Sequence, residues 1–438
     1  MAITRRQFVT RLGALATAMG MGQADMAKIS QAFAHGSVWT GEWTSKPKVI
    51  WVHGAECTGC STSLLGLFED VRGEAIAGSG ISTLTALDLA VGGDGSGDSV
   101  LLASDGHDAG HRTITTSGVM DYDGDENETP YVANIADVLI DFIDLQYHET
   151  VMGMGGDLAY QWLNDNAVNG SSDAFVLVVE GALQAKTNEG YWKSTGTEET
   201  DASWCSIGRD GADDTDVELD MPATVRLLAM QEKCAAVIAI GQCATFGGYP
   251  AAVSPVLGEG QTGAQGTAAF LETHADIDTA NKVINVPGCP TNPWWFILTV
   301  VAWLVDYTAG GVGPLGILTD GVINDSAVDA DRRLLAVFGT PLHGPACARY
   351  QAFLDGNFAS APGGDGCLQL IGCKGPAVNS LCAIHGWNGQ QPQNAATWDY
   401  NVATTQGKKG GNCIAAGHPC MGCTEKGYPD AFVPFVVR

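Results

Sequence analysis

Four stretches, KVIWVHG (48–54), FVLVVEG (175–181), AAVIAIG (235–241) and KVINVPG (282–288), are unbroken apolar runs rich in Val and Ile, and each ends at glycine. Runs of this kind are strands buried on both faces, which places them in the interior of a parallel sheet covered by helices. Helical patterning lies between them, as in MPATVRLLAMQEKC before the third run. The expectation is therefore an α/β domain with a doubly wound parallel sheet.

In such sheets ligands bind beyond the carboxyl ends of the strands, and that is where this sequence puts cysteine. Cys57 and Cys60 follow the first run, Cys243 (in GQCATFGG) the third, and Cys289 (in PGCP) the fourth. Three strands thus deliver four thiols to one edge, a set suited to a tetrahedral metal or a cubane cluster. Gly59, Gly241, Gly247, Gly248 and Gly288 lie beside them and leave room for a bulky group.

The last third, from about residue 320, has no comparable apolar runs. It holds His343, Cys347, Cys367, Cys373, Cys382, Cys413, Cys420 and Cys423 within about eighty residues. Eight candidate ligands divide into two sites of four, and a loop-rich domain with so few apolar runs needs cofactors to hold its fold. The chain has thirteen cysteines in all. Disulfides, zinc and iron–sulfur clusters compete for them; short spacings and delivery to one sheet edge favour clusters.

The 438 residues suffice for two or three domains. Acidic residues outnumber basic ones 49 to 22, a net charge of −27, which argues against nucleic acid or anionic lipid as a partner. No stretch is apolar enough over a sufficient length to span a bilayer, so the expectation is that the chain has no membrane anchor of its own. At the N-terminus Arg5 and Arg6 precede Gln7-Phe8, a weakly apolar run and Ala32-Phe33-Ala34. This is the order of a twin-arginine export signal over residues 1–34, and it predicts a periplasmic or cell-envelope location. Residues 72–135 are acidic and Gly-rich and read as a surface insertion. Asp121, Asp123 and Asp125 alternate there, but Glu126 and Val132 break the calcium-loop pattern; His107 and His111 read as part of a solvated loop.

Taken in order, ECTGCSTSLL, LQYHETVM, GQCATFGG, PGCP, GCLQLIGCKGP, CAIHGWNG and AGHPCMGC resemble the motifs of the small, iron–sulfur subunit of nickel–iron hydrogenases. The resemblance covers most of the chain from about residue 46, outside the acidic insertion. It implies a flavodoxin-like domain (46–310) with a proximal 4Fe-4S cluster on Cys57, Cys60, Cys243 and Cys289, followed by a cluster-binding domain (320–438). There a distal 4Fe-4S cluster would take His343, Cys347, Cys367 and Cys373, and a medial cluster Cys382, Cys420 and Cys423. Cys413 lies where many members carry proline beside a three-iron (3Fe-4S) cluster; as a fourth ligand it would make the medial centre 4Fe-4S, and otherwise it is a non-ligating thiol. Oxygen-tolerant members add two cysteines at positions corresponding to Gly59 and Gly248, so an ordinary proximal cubane is expected. His343 and Cys347 are four apart rather than the family's three, a spacing that keeps both on one helix face.

The same resemblance implies an obligate nickel–iron large subunit, which holds the hydrogen chemistry. This chain would be the electron-transfer subunit of a reversible H2-oxidising enzyme that delivers electrons to a cytochrome or a membrane carrier, with membrane association through a partner. A hydrogen-sensing small subunit and an exported disulfide-rich binding protein are the alternative readings. Cys205 and Cys234 match no ligand motif. His53, His148 and His385 are expected to be structural, Glu56 and Glu149 to be hydrogen-bonding groups, and Trp294 and Trp295 to be core or interface aromatics.

Overall fold

The structure is a computed structural model that describes residues 48–65, 113–114, 120–121, 143–168, 174–184, 205–210, 217–252, 262–275, 277–308, 316–385, 387 and 412–429. The export signal and the 72–135 insertion lie outside the described residues, apart from a short antiparallel pair, Thr113–Ile114 with Met120–Asp121. The side chains of Trp294 and His385 are also outside them.

Five strands, β1 (Lys48–His53), β2 (Asp144–His148), β3 (Phe175–Glu180), β4 (Cys234–Ile240) and β5 (Val283–Val286), form one sheet in the order β2-β1-β3-β4-β5. Every pairing is parallel. This is the flavodoxin-like order, whose switch point falls between β1 and β3. Around the strands lie α1 (Gly59–Leu65), α2 (Gly156–Leu163), α3 (Met221–Met230), α4 (Gly241–Phe246), α5 (Thr267–His274) and α6 (Pro293–Thr308). The helical stretch expected to run to Cys234 stops at Met230; a turn follows, and Cys234 opens β4 instead.

Successive strand residues point to opposite faces, and two cores result. Val49, Trp51, Val176, Val178, Ile238, Ile240, Ile284 and Val286 pack with α1 and α6 on one face. Ile50, Val52, Leu177, Val179, Val237, Ala239 and Val283 pack with α2, α3 and α5 on the other. Apolar residues on both faces explain why these strands read as continuous rather than alternating runs.

The register aligns the strand ends. His53 pairs with Glu180, Glu180 with Ile240, and Ile240 with Val286. The loops carrying Cys57, Cys60, Cys243 and Cys289 therefore leave the sheet from a common rim. Beyond residue 316 the described elements are short, the helices among them being Leu335–Phe338, Tyr350–Leu354 and Cys382–His385. Their apolar cluster is small and includes Cys347 and Cys420 alongside Leu342, Leu368, Val378 and Ile414. Arg333 ties this part to the sheet. It lies beside β5 at Asn285 and donates to Asp329 Oδ2 (2.8 Å), Thr424 O (2.8 Å) and Glu425 Oε2 (2.9 Å).

Candidate cluster-binding sites

All thirteen cysteines are free thiols. Four of them meet at the sheet rim. Cys60, on the first turn of α1, is buried and receives the Thr291 backbone N–H at 3.4 Å. Cys243 lies on α4, close enough to Cys289 and Cys57 for their charges to act on it, and Cys57 acts on Cys289 in the same way. Burial pushes the Cys243 thiol up to about 12, with its cysteine neighbours adding to the shift. Cys60 moves well above the usual thiol range, first through burial and then through the adjacent Glu180. Such thiols are poor nucleophiles alone, but a bound metal deprotonates its thiol ligands outright.

The backbone around the rim is shaped to leave space. Gly241 has φ +86°, and a Cβ there would lie 2.5 Å from Cys60 Sγ. Gly248 has φ +50°, and its Cβ would lie 3.0 Å from Cys243 Sγ. A side chain would clash at Gly241 and would be strained at Gly248. Among the described residues no three cysteine sulfurs lie within 4.8 Å of one another. A tetrahedral zinc ion would hold its sulfurs about 3.8 Å apart, given Zn–S near 2.3 Å. As they stand, no three of the described cysteine sulfurs could share one zinc ion.

A second set, Cys382, Cys413, Cys420 and Cys423, lines one cavity of about 430 Å³, partly open to solvent, that Pro290, Trp295 and Ile414 also wall. Burial, foremost, raises all four thiols, Cys423 to about 12. In the third set Cys347, Cys367 and Cys373 are electrostatic neighbours. His343 belongs with them in sequence. Its ring meets Phe353 edge-on at 4.5 Å and Tyr350 at 5.4 Å. Its Nε2 is buried and has no hydrogen-bond partner. A buried donor or acceptor left bare is costly; a metal at that nitrogen would satisfy it.

The three sets abut. The backbone of Cys289 hydrogen-bonds the Cys423 sulfur, and Cys420 N–H donates to Cys373 Sγ at 3.3 Å. From the sheet rim outward the order is Cys57/60/243/289, then Cys382/413/420/423, then Cys347/367/373.

Two family models match the chain. One, described as the NADH ubiquinone oxidoreductase 20 Kd subunit, matches residues 128–303. The other, described as the C-terminal part of the NiFe/NiFeSe hydrogenase small subunit, matches residues 338–398. The periplasmic NiFe hydrogenase small subunit 1 of Nitratidesulfovibrio vulgaris is 28% identical over 438 residues, covering 99% of this chain and 93% of that protein. The periplasmic NiFeSe hydrogenase small subunit of Desulfomicrobium baculatum is 27% identical, covering 100% and 99%. A crystal structure of the reduced, active NiFeSe hydrogenase from Desulfomicrobium baculatum superposes with a TM-score of 0.57 at 26% identity, over 90% of this chain and 99% of that one. Over nearly its whole length the chain is thus similar to nickel–iron and nickel–iron–selenium hydrogenase small subunits.

Several buried polar residues of this chain sit directly behind the rim; the sequence singled out His53, His148 and Glu56 among them but not Glu180 or Tyr428. Glu180, at the end of β3, is 1% exposed and accepts four hydrogen bonds. Its Oε1 takes Cys60 N–H (3.0 Å) and Ser61 N–H (3.1 Å); its Oε2 takes Ser61 Oγ–H (2.5 Å) and Trp51 Nε1–H (3.1 Å). His148 Nε2 meets Ser61 Oγ at 3.2 Å, and its Nδ1 accepts Thr150 N–H at 3.2 Å, so the ring is neutral with its proton on Nε2. Burial, then the nearby His53, holds His148 down at about 3. His53 pairs with Glu56 at 3.0 Å. Burial alone would lower His53, but Glu56, Glu180 and Glu149 together raise it. Tyr428 contacts the Cys289 thiol and bonds Tyr249 Oη at 3.0 Å.

The residues expected to be structural behave so. Cys234 is buried, its thiol raised to about 12 mainly by burial, and it faces Ala236 O. Cys205 points to His53 O at 3.6 Å. Trp295 is a core aromatic, 2% exposed.

Proposed function

We propose that this chain is the electron-transfer subunit of a heterodimeric nickel–iron hydrogenase, an oxidoreductase acting on H2. The proximal ligands are Cys57, Cys60, Cys243 and Cys289; the medial ligands Cys382, Cys413, Cys420 and Cys423; the distal ligands His343, Cys347, Cys367 and Cys373. All three sites take 4Fe-4S clusters. Clusters of this kind supply one-electron chemistry, so three in line would connect a large-subunit nickel–iron site with an outside acceptor during reversible H2 oxidation.

The observation that carries the reading is the contiguity of the three ligand sets, joined by the Cys289–Cys423 contact and the Cys420–Cys373 hydrogen bond. The chain's own groups do the rest. Thiols hold iron, backbone N–H groups from Thr291 and Cys420 point at ligand sulfurs, and the apolar walls exclude water and strengthen those bonds. Cys413 joins the medial set because it lines the same cavity as Cys382, Cys420 and Cys423. Gly59 and Gly248 supply no extra thiol to the proximal site, which supports an ordinary cubane there.

Residues 1–34 are proposed as a twin-arginine signal, 46–310 as the proximal-cluster domain and 320–438 as the domain of the other two clusters. The relatives named as periplasmic support an envelope location. Among the described residues no helix is long and apolar enough to cross a membrane. The net charge of −27 favours a basic cytochrome as acceptor. The free state of all thirteen cysteines counts against the disulfide-stapled alternative.

The test is an iron and acid-labile sulfide count on the anaerobically purified complex, with EPR of the oxidised form. About twelve iron atoms for this subunit and no three-iron signal are expected, and Cys413→Ser should introduce that signal. A strong three-iron signal in the parent protein removes Cys413 from the ligand set; a low iron count removes the relay.

A further inference from the structure

Two charged side chains, Glu180 buried and Arg349 half-buried, touch the ends of the relay, and neither is a ligand. Glu180 stands against the proximal set. The four donors described above fill both of its oxygens, two on each, leaving no acceptor site free for a proton. Four donors and no acceptor are the surroundings of a carboxylate; burial raises Glu180 above the ordinary carboxylate range, and the Ser61 hydrogen bonds and His53 offset part of that rise. His53 opposes its charge, while Glu56 and Glu149 are of the same sign and close by. Of these groups Glu180 stands nearest a proximal thiol, accepting the Cys60 N–H at 3.0 Å.

Arg349 stands against the distal set, two residues after Cys347. Its Nη1 donates to Gly364 O and Gly366 O, both at 2.6 Å, and its Nε to Ile414 O at 3.1 Å. Three carbonyls hold the guanidinium, and none of them neutralises it. Its charge reaches Cys347 and Cys373 and favours their thiolate forms.

We propose that Glu180 and Arg349 are positioning residues that also set the electrical slope of the relay, the buried carboxylate holding the proximal site at low potential and the half-buried guanidinium holding the distal site at high potential. An added electron is repelled by the first and attracted by the second, at distances where a low-dielectric interior screens little. The slope runs outward from the sheet rim, the direction required when H2 is oxidised. The same contacts fix geometry: Glu180 clamps the first turn of α1, which carries Cys60, and Arg349 joins the Gly364–Gly366 loop to Ile414, next to Cys413.

This inference rests on the three-site relay proposed above. The experiment is an EPR-monitored redox titration of the intact anaerobic complex, with iron counted in every preparation. Glu180→Gln should shift the proximal midpoint positive and leave the distal one in place. Ser61→Ala removes one donor, leaves the carboxylate less compensated, and should shift the proximal midpoint negative. Arg349→Met should shift the distal midpoint negative, while Arg349→Lys, which keeps the charge, stays near the parent value. Unmoved midpoints at full iron content overturn the inference. So do Glu180→Gln and Ser61→Ala shifting the same way, or Arg349→Met and Arg349→Lys shifting alike, since either pattern marks a purely structural role. If Glu180→Gln does not assemble, Ser61→Ala and the Arg349 pair still decide. A parent complex short of iron fails the relay itself instead.

Discussion

His148 shows how much chemistry one buried side chain can fix. It is 2% exposed, with its ring centroid 4.8 Å from that of Trp51 and 5.0 Å from that of His53. With Nδ1 accepting from Thr150 and Nε2–H directed at Ser61, both nitrogens are committed to the neutral form. The folded state holds it near 3 against an ordinary value of 6.5. A depressed folded value means stability that is complete above pH 6.5 and is lost as pH falls toward 3, because only the unfolded chain takes up the proton. By pH 5 the loss from His148 alone is about 2 kcal/mol. His53, raised by its carboxylates, works in the opposite direction, and its contribution fades as pH rises. His148→Gln can keep both hydrogen bonds and cannot titrate. Melting temperature followed from pH 7 to 5 should fall less steeply in that variant than in the parent, and parallel curves would sink the assignment. Residues of this kind were only half legible. The cysteines proposed as ligands were picked out by spacing and by position after apolar runs, and four of them meet at one rim. Glu180 reads as the last residue of FVLVVEG but one, and its function depends on a register that sets it beside α1, 120 positions away from Cys60. Arg349 is equally silent, since its three acceptors lie 15, 17 and 65 residues away.

At the level of elements the sheet was readable because its inner strands are apolar on both faces, a pattern that survives without any tertiary knowledge. β2 was not read as a strand. DLQYH is short, occupies the edge of the sheet, and buries only Tyr147 and His148 fully, so no run of Val and Ile marks it. The join between the sheet and the C-terminal part was also invisible, as it is made by scattered side chains, Arg333, Gln242 and Tyr249 among them. Arg333, 4% exposed, pairs with Asp329 and Glu425 and donates to Thr424 O. Arg333→Met would strip Glu425 of its cation while leaving that carboxylate buried, at a cost of about 3–5 kcal/mol. Glu425 would keep the N–H of Asn379 at 3.0 Å and the Thr424 hydroxyl at 3.1 Å, both of them neutral donors. Arg333→Met combined with Glu425→Gln should therefore recover part of the lost melting temperature. A double variant whose loss equals the sum of the two single losses would show that the pair is not coupled.

Across the whole molecule the two halves are held by different means. The sheet has two large apolar cores, one on each face, the first completed by Ile317, Leu334 and Phe338 from beyond α6. The C-terminal part has one small cluster, in which the ligands Cys347 and Cys420 stand among few aliphatic neighbours. Eight of the twelve proposed ligands belong to this part, so iron–thiolate bonds would take the place of apolar area there, and metal binding would be a major part of its folding free energy. The halves should then respond differently to loss of iron. Arg349 and Lys374 are trypsin sites inside the cluster-bearing part; Arg226, on α3, and Lys282, just before β5, are sites in the sheet. Lys282 Nζ is tied to Ala229 O at 2.6 Å and Arg226 Nη1 to His274 O at 3.2 Å by contacts that involve no ligand cysteine. Removing iron from the complex with an anaerobic chelator should expose Arg349 and Lys374 to cleavage first, with a sheet-bearing fragment surviving. Mass spectrometry of the digest reads the order directly. Simultaneous cleavage in both halves would mean that the sheet also depends on its cluster, and that two apolar cores cannot hold it without the sulfur-bound rim.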